Sequence, residues 1–255
     1  VLRGVAAFVS LNTVSTSEQK AGIIKRKGVV ALEISNAWGD PVGRFFGRGA
    51  IVEKERGAII VDLESIDQLV KNSLDMIEDK LRDVEKSKEE DFIVFHVKDR
   101  YADSVYDEIA EVITSYGFKN FKIIHIQKTG SLRIYNPKEK IYRAWPREGS
   151  YWFLKNGEIA YLYTLGRWQY SSKSEPYIIG ARDVSPLQVN LARSDENSIL
   201  ERRDLQHVYH LTRLHYYSAD ILRIKMLSTL RLGSRAAHLA ACGLTKSDFD
   251  VSFLY

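Results

Sequence analysis

One carboxylate stands inside an otherwise apolar or small run, Val29-Val30-Ala31-Leu32-Glu33-Ile34-Ser35. A run of this kind reads as a central strand of a sheet covered on both faces. An ionised glutamate is costly to bury there unless something pairs with it, and a cation is one such partner. A second run repeats the arrangement, Phe92-Ile93-Val94-Phe95-His96-Val97-Lys98-Asp99, with an acid at its carboxyl end. If the two strands are neighbours, Glu33 and Asp99 could hold a divalent metal. The alternative is a salt-bridged glutamate and an ordinary strand-end aspartate.

The elements that must position these acids follow from the hydrophobic pattern. Gly4 to Leu11 reads as a first strand, and Asn12 to Gly28 as a polar stretch with a basic cluster at Lys25-Arg26-Lys27. Gly43 to Ile51 and Gly57 to Asp62 read as two further strands joined by a charged turn. Ile66, Leu69, Val70, Leu74, Ile77, Leu81 and Val84 recur at helical spacing, which predicts an amphipathic helix over 64–86 with an acidic outer face. Ser104 with Asp107 suggests a capping-box start for the next helix, stopped by Gly117, and Phe121 to Gln127 is another buried-type strand. Strand, helix, strand, helix, strand is the order of an α/β sheet with parallel neighbours. Beyond Lys128, Tyr151–Leu154, Ile159–Leu165 and Tyr177–Leu191 look like antiparallel strands with Tyr/Trp-rich faces. Their aromatics, Trp145, Tyr151, Trp152, Tyr161 and Tyr163, read as core in preference to base-stacking surface. Arg202–Leu214 and Ser234–Cys242 look helical. No repeat or interdomain linker is evident, so 1–255 reads as a single domain.

The 255 residues include one cysteine, Cys242, which leaves no disulfide framework and no Cys/His zinc spacing. That usage fits a reducing, cytoplasmic setting. No signal peptide and no run long enough to span a bilayer is present, so no membrane partner is expected. The chain opens with Val1, which reads as a piece of something longer, any missing domain lying upstream. Charge is strongly divided: residues 62–111 hold sixteen Asp/Glu against seven Lys/Arg, net −9, and residues 112–255 hold twenty-one Lys/Arg against twelve Asp/Glu, net +9. A basic half of that size is the usual electrostatic footprint of a polyanion partner.

Seven segments in order resemble the Piwi domain of the Argonaute family. Val29–Ser35 resembles its first strand, which carries an Asp, and Lys98-Asp99-Arg100 its Arg-Asp-Gly. Asp107-Glu108-Ile109 and Ile126-Gln127-Lys128-Thr129-Gly130-Ser131-Leu132-Arg133 are similar to the segments that follow. Gly180-Ala181-Arg182-Asp183-Val184-Ser185-Pro186-Leu187 resembles the Gly-Thr-Pro-x-Pro-Leu turn. The most specific stretch is Gln206-His207-Val208-Tyr209-His210-Leu211-Thr212-Arg213-Leu214-His215-Tyr216-Tyr217-Ser218, and Arg235-Ala236-Ala237-His238-Leu239-Ala240-Ala241 resembles the final helix.

The resemblance implies a ribonuclease H-like α/β fold, a mixed sheet flanked by helices, that holds a guide strand paired to a target strand, RNA or DNA. It implies a catalytic and metal-ligating set to which this chain offers Glu33, Asp99 and His238, with no match for a second-place glutamate. Glu33 is one methylene longer than Asp, displacing the carboxylate by roughly an ångström where about 0.5 Å matters. The expected function is therefore guide-dependent nucleic-acid binding with cleavage lost or nearly lost, the alternative being an active metal-dependent endonuclease. Lys128, Arg133 and Arg213 are the expected phosphate contacts. The resemblance also implies that the carboxylate of Tyr255 helps hold the guide's 5′ phosphate, often through a divalent cation. An upstream Mid-containing segment or partner chain would complete that site.

Overall fold

A computed structural model describes residues 5–20, 23–55, 57–81, 88, 90–129, 132, 146, 149–154, 157–164, 185–195, 198–214 and 226–243, with side chains in the β-hairpin described up to 15 and again from 27. The chain forms two compact units: Val1–His125 with Leu191–Ser198 and Ser228–Tyr255, and Ile126–Asn190 with Ile199–Leu227. The sequence reading expected a single domain over 1–255 with no linker; two of the four crossings between the units fall inside strands.

In the first unit the strands are β1 (Val5–Lys20), β2 (Ile23–Ser35), β3 (Pro41–Glu55), β4 (Ala58–Val61), β5 (Phe92–Val97) and β6 (Asn120–Lys128, to His125 in this unit). Their order is β4-β3-β2-β1-β5-β6. The first four run antiparallel in sequence, whereas β1, β5 and β6 are parallel, so the sheet is mixed. Two expectations change here. The acid-bearing strands β2 and β5 are not neighbours, because β1 lies between them. The polar stretch Asn12–Gly28 is not a connection: it forms the outer part of a long hairpin running from Val5 to Ser35.

The crossover helices are α1 (Leu63–Lys80) and α2 (Asp103–Ser115). Asp62 caps α1 by accepting from the Ser65 amide at 3.1 Å, and its other oxygen accepts from the Ile51 amide at 2.7 Å. One side chain thus ends the β3–β4 hairpin and starts a helix. For α2 the Ser104–Asp107 start is not realised. The N-cap is Ala102, with no side-chain cap, and Asp107 instead pairs with Arg193. Gly117, at φ +86°, turns the chain out of α2, a conformation that costs glycine little.

Alternation along the strands divides the sheet into two unlike faces. Ala7, Val9, Leu11, Val30, Leu32, Ile34, Ile93, Phe95 and Val97 meet the apolar stripes of α1 and α2 in one core. The opposite face carries Phe8, Ser10, Asn12, Val29, Ala31, Glu33, Val94 and His96, all buried. A C-terminal helix that packs on β1 and β2, Ser228–Ala241, covers this face with Gly233, Ala236, Ala237 and Ala240 turned inward.

The second unit contains β7 (Tyr151–Leu154), β8 (Ile159–Leu162) and β9 (Leu187–Ser194, to Asn190 in this unit), ordered β9-β8-β7 and antiparallel. It also contains α3 (Arg202–Arg213), opened by a reciprocal capping box between Glu201 and Asp204. The helix Ser228–Ala241 is accordingly α4. Trp152 stacks on Tyr161 with ring centroids 5.1 Å apart and lies 5.8 Å from Tyr163, while Tyr151 and Phe153 are exposed. Trp145 and most of the Gly180–Leu187 turn fall outside the described residues. No helix among the described residues is long and apolar enough to cross a membrane.

Candidate nucleic-acid interface

The strand register sets Glu33, Ser10 and His96 side by side on β2, β1 and β5. They form a polar row on the face beneath α4. Ser10 Oγ donates to the Thr229 carbonyl of α4 at 3.0 Å, and Asn12 Nδ2 donates to Ser10 Oγ at 3.2 Å. Gly233 lies over these two side chains, and a Cβ built on it would come within 2.6 Å of Ser10 Oγ and nearer still to Asn12 Nδ2. His96 stacks on Phe8, with ring centroids 5.5 Å apart. Sequence reading passed over this row. Its signal was present in Ser10-x-Asn12, two polar residues at the same parity of an apolar strand.

Glu33 is 1% exposed. Across the β2–β3 ladder its register partner is Arg44, whose Nε and Nη2 donate to the two carboxylate oxygens, the second at 3.0 Å. Burial pushes the Glu33 carboxyl up to about 7, and the charge and hydrogen bonds of Arg44 pull it back only in part. This is the salt-bridged arrangement that the sequence left open beside a metal site. Nothing local in the sequence pointed to Arg44.

Asp99 follows β5 by two residues and is half-buried. The last level at which β1 pairs with β5 is Leu11–Val97, and Leu11 pairs with Leu32 of β2. Asp99 lies two residues beyond that level, and β1 stands between its strand and that of Glu33. Near Asp99, His125 Nε2 donates to the Lys98 carbonyl at 3.1 Å, and burial lowers the pKa of this ring.

His238 sits on the exposed side of α4, where its Nδ1 donates to the Ser234 carbonyl at 2.7 Å. That contact places the ring proton on Nδ1 and leaves Nε2 as the acceptor. Arg231, Arg235 and His238 follow one another at helical spacing and are all exposed, the two arginines setting a positive charge on this side of the helix. Arg231 has its pKa lowered, first by partial withdrawal from water and then by Arg235. Glu33, Asp99 and His238 are not brought into one cluster. Among the described residues no group of three or more His, Cys, Asp or Glu is placed to hold a metal ion. As placed, Glu33, Asp99 and His238 do not fit a shared metal centre.

In the second unit Lys128 is exposed at the end of β6. Arg213 is turned to its own unit: Nη2 donates to the Thr164 carbonyl at 3.3 Å, and the guanidinium lies 5.2 Å from the centre of the Tyr209 ring. Arg133 and Tyr255 lie outside the described residues.

Solved structures share this architecture. Two structures of the Marinitoga piezophila Argonaute, one with 5′-hydroxyl guide RNA and target DNA and one with the guide RNA, align with 92% of this chain and 30% of theirs, at TM-scores of 0.56 and 0.54 and 11% and 12% identity. The Aquifex aeolicus Argonaute aligns with 92% of this chain and 28% of its own, at a TM-score of 0.51 and 16% identity. The likeness is one of fold, and the chain spans about three tenths of the length of these Argonautes. No protein-family model matches the sequence. No curated protein matches it either.

Proposed function

We propose that this chain belongs to an Argonaute-like, cytoplasmic protein that holds a guide strand paired to its target, with cleavage lost or nearly lost. Support for binding comes from the fold it shares with Argonautes whose structures contain guide RNA and target DNA. One observation carries the loss of cleavage: both oxygens of Glu33 are taken up by Arg44 inside the sheet. A carboxylate held at both oxygens by a buried guanidinium binds a metal only in competition with that pair. Asp99, remote from Glu33, is left to hold Mg or Mn weakly.

In this reading Lys128 and Arg133 contact the phosphate backbone, while Arg213, expected from sequence as a third contact, supports its own unit through Thr164 and the Tyr209 ring. Such contacts are indifferent to base identity, because pairing with the guide supplies sequence specificity. The Tyr255 carboxylate serves the guide's 5′ end together with an upstream Mid-containing segment or partner chain.

The test is a cleavage assay. Protein loaded with guide and complementary target, in Mg²⁺ or Mn²⁺, is expected to retain the duplex and leave the target intact. Cutting at a single position, abolished by Asp99→Ala, would establish the endonuclease instead. Absence of any affinity for guide or duplex would remove the binding reading itself.

A further inference from the structure

The β1–β2 hairpin extends beyond the sheet that it helps to build. Pairing of β1 with β5 ends at Leu11–Val97, and pairing of β2 with β3 reaches outward to Lys27–Ile51. The hairpin ladder itself continues through Thr16–Lys27, Ser17–Arg26, Glu18–Lys25, Gln19–Ile24 and Lys20–Ile23. Thr16–Lys27 is the base of the arm, where Lys27 still pairs with β3, and the four levels beyond it are two-stranded over roughly 13 Å.

Charge singles out this arm. Residues 16–27 contain Lys20, Lys25, Arg26 and Lys27 against Glu18, net +3. The unit it belongs to holds 22 Lys/Arg and 25 Asp/Glu, so outside the arm that unit is net −6. The arm is therefore a basic island on an acidic body, and it cannot be put down to a generally basic surface. An isolated two-stranded ribbon is at best marginally stable in water. Binding a polyanion would relieve the mutual repulsion of its cations and favour its ordered form. Two strands about 5 Å apart make a ribbon narrow enough to lie along or within a duplex groove of about 12 Å.

We propose that the β1–β2 arm is a phosphate-contacting ribbon for a nucleic-acid duplex, reading charge and not base sequence. This rests on the nucleic-acid-binding function above and adds to it a surface that the Argonaute resemblance did not supply. The competing role for lysines on such an arm is protection of its free strand edges against association with other chains.

The full chain and a Lys20→Gln/Lys25→Gln/Arg26→Gln variant are titrated with a mixed-sequence DNA duplex across a range of salt. Loss of up to three phosphate contacts should make the slope of log affinity against log salt shallower by about 2 to 3. Affinity near physiological salt should fall at least tenfold, about equally for unrelated sequences. A Lys20→Arg/Lys25→Arg variant, which keeps the charge, should bind as the parent does.

If the parent binds and the glutamine variant keeps its affinity and slope, the arm proposal is wrong while the binding function stands. Unchanged affinity with new self-association would assign the cations to edge protection. Loss of binding to phosphatidylserine vesicles with unchanged duplex affinity would assign them to a membrane and also overturn it. A parent chain that binds no duplex would overturn arm and function together.

Discussion

Burial costs Glu33 more than Arg44 returns to it, since its carboxyl is raised from 4.5 to about 7 despite a two-point ion pair. The sign of the linkage follows directly. Between pH 4.5 and about 7 the folded state holds a proton that the unfolded state has released, so this group's contribution to stability falls as pH rises through that window. Glu33→Gln, which does not titrate, should gain stability relative to the parent from pH 4.5 to 7 in parallel urea unfolding series. A flat difference would show that the pair stays ionised throughout. Removing the partner alone is the harsher change. Arg44→Met leaves a buried carboxylate uncompensated and should cost about 3 kcal/mol at pH 8. The loss should shrink at pH 5, where the carboxyl can take up a proton.

Helix α4 is held close to the sheet by the smallness of what it presents. Gly233→Ala would raise local helix propensity by up to about 1 kcal/mol. Its new Cβ, however, meets Ser10 Oγ and Asn12 Nδ2, which are themselves hydrogen-bonded and buried. Overpacking should win, with a net loss of about 1–2 kcal/mol in unfolding free energy. Asn12→Ala should recover part of that loss in the double variant. Gly43 is a useful contrast, because there the obstructing atoms belong to the end of the flexible Met76 side chain. Gly43→Ala should stay within about 0.5 kcal/mol of the parent. Equal effects at the two glycines would mean that α4 is not tightly seated.

Across the whole molecule charge is divided unequally. The second unit holds fifteen Lys/Arg against eight Asp/Glu, net +7, while the first is net −3. Within that basic unit exposure separates two candidate contacts. Lys128→Ala should lower the salt slope of duplex binding by about 1 without altering stability. Arg213 donates to Thr164 and covers the Tyr209 ring, so Arg213→Ala should lower the melting temperature by a few degrees and leave the slope unchanged. The reverse pattern would make Arg213 the phosphate ligand and Lys128 a bystander.

Periodicity alone determined most of the elements, because whether a residue is buried is written locally into every second or every third to fourth position. The apolar runs at 29–35, 92–97 and 121–127 became strands, and the stripe from Ile66 to Ile77 became α1. The Asn12–Gly28 stretch was misread because a projecting two-stranded arm need not bury an apolar face and so lacks that signal. Strand order was not legible either. An apolar run records that a strand is covered, not which neighbour pairs with each edge, so only the fold could insert β1 between Glu33 and Asp99. The same holds for partners. Arg44 reaches Glu33 through hairpin register from 11 residues away, and Thr229 reaches Ser10 across 219. Sequence supplied the charges and side-chain types from which a nucleic-acid partner was argued; tertiary structure decided that Glu33 faces an arginine inside the sheet, because pairing across a ladder depends on register and closure that no local pattern encodes.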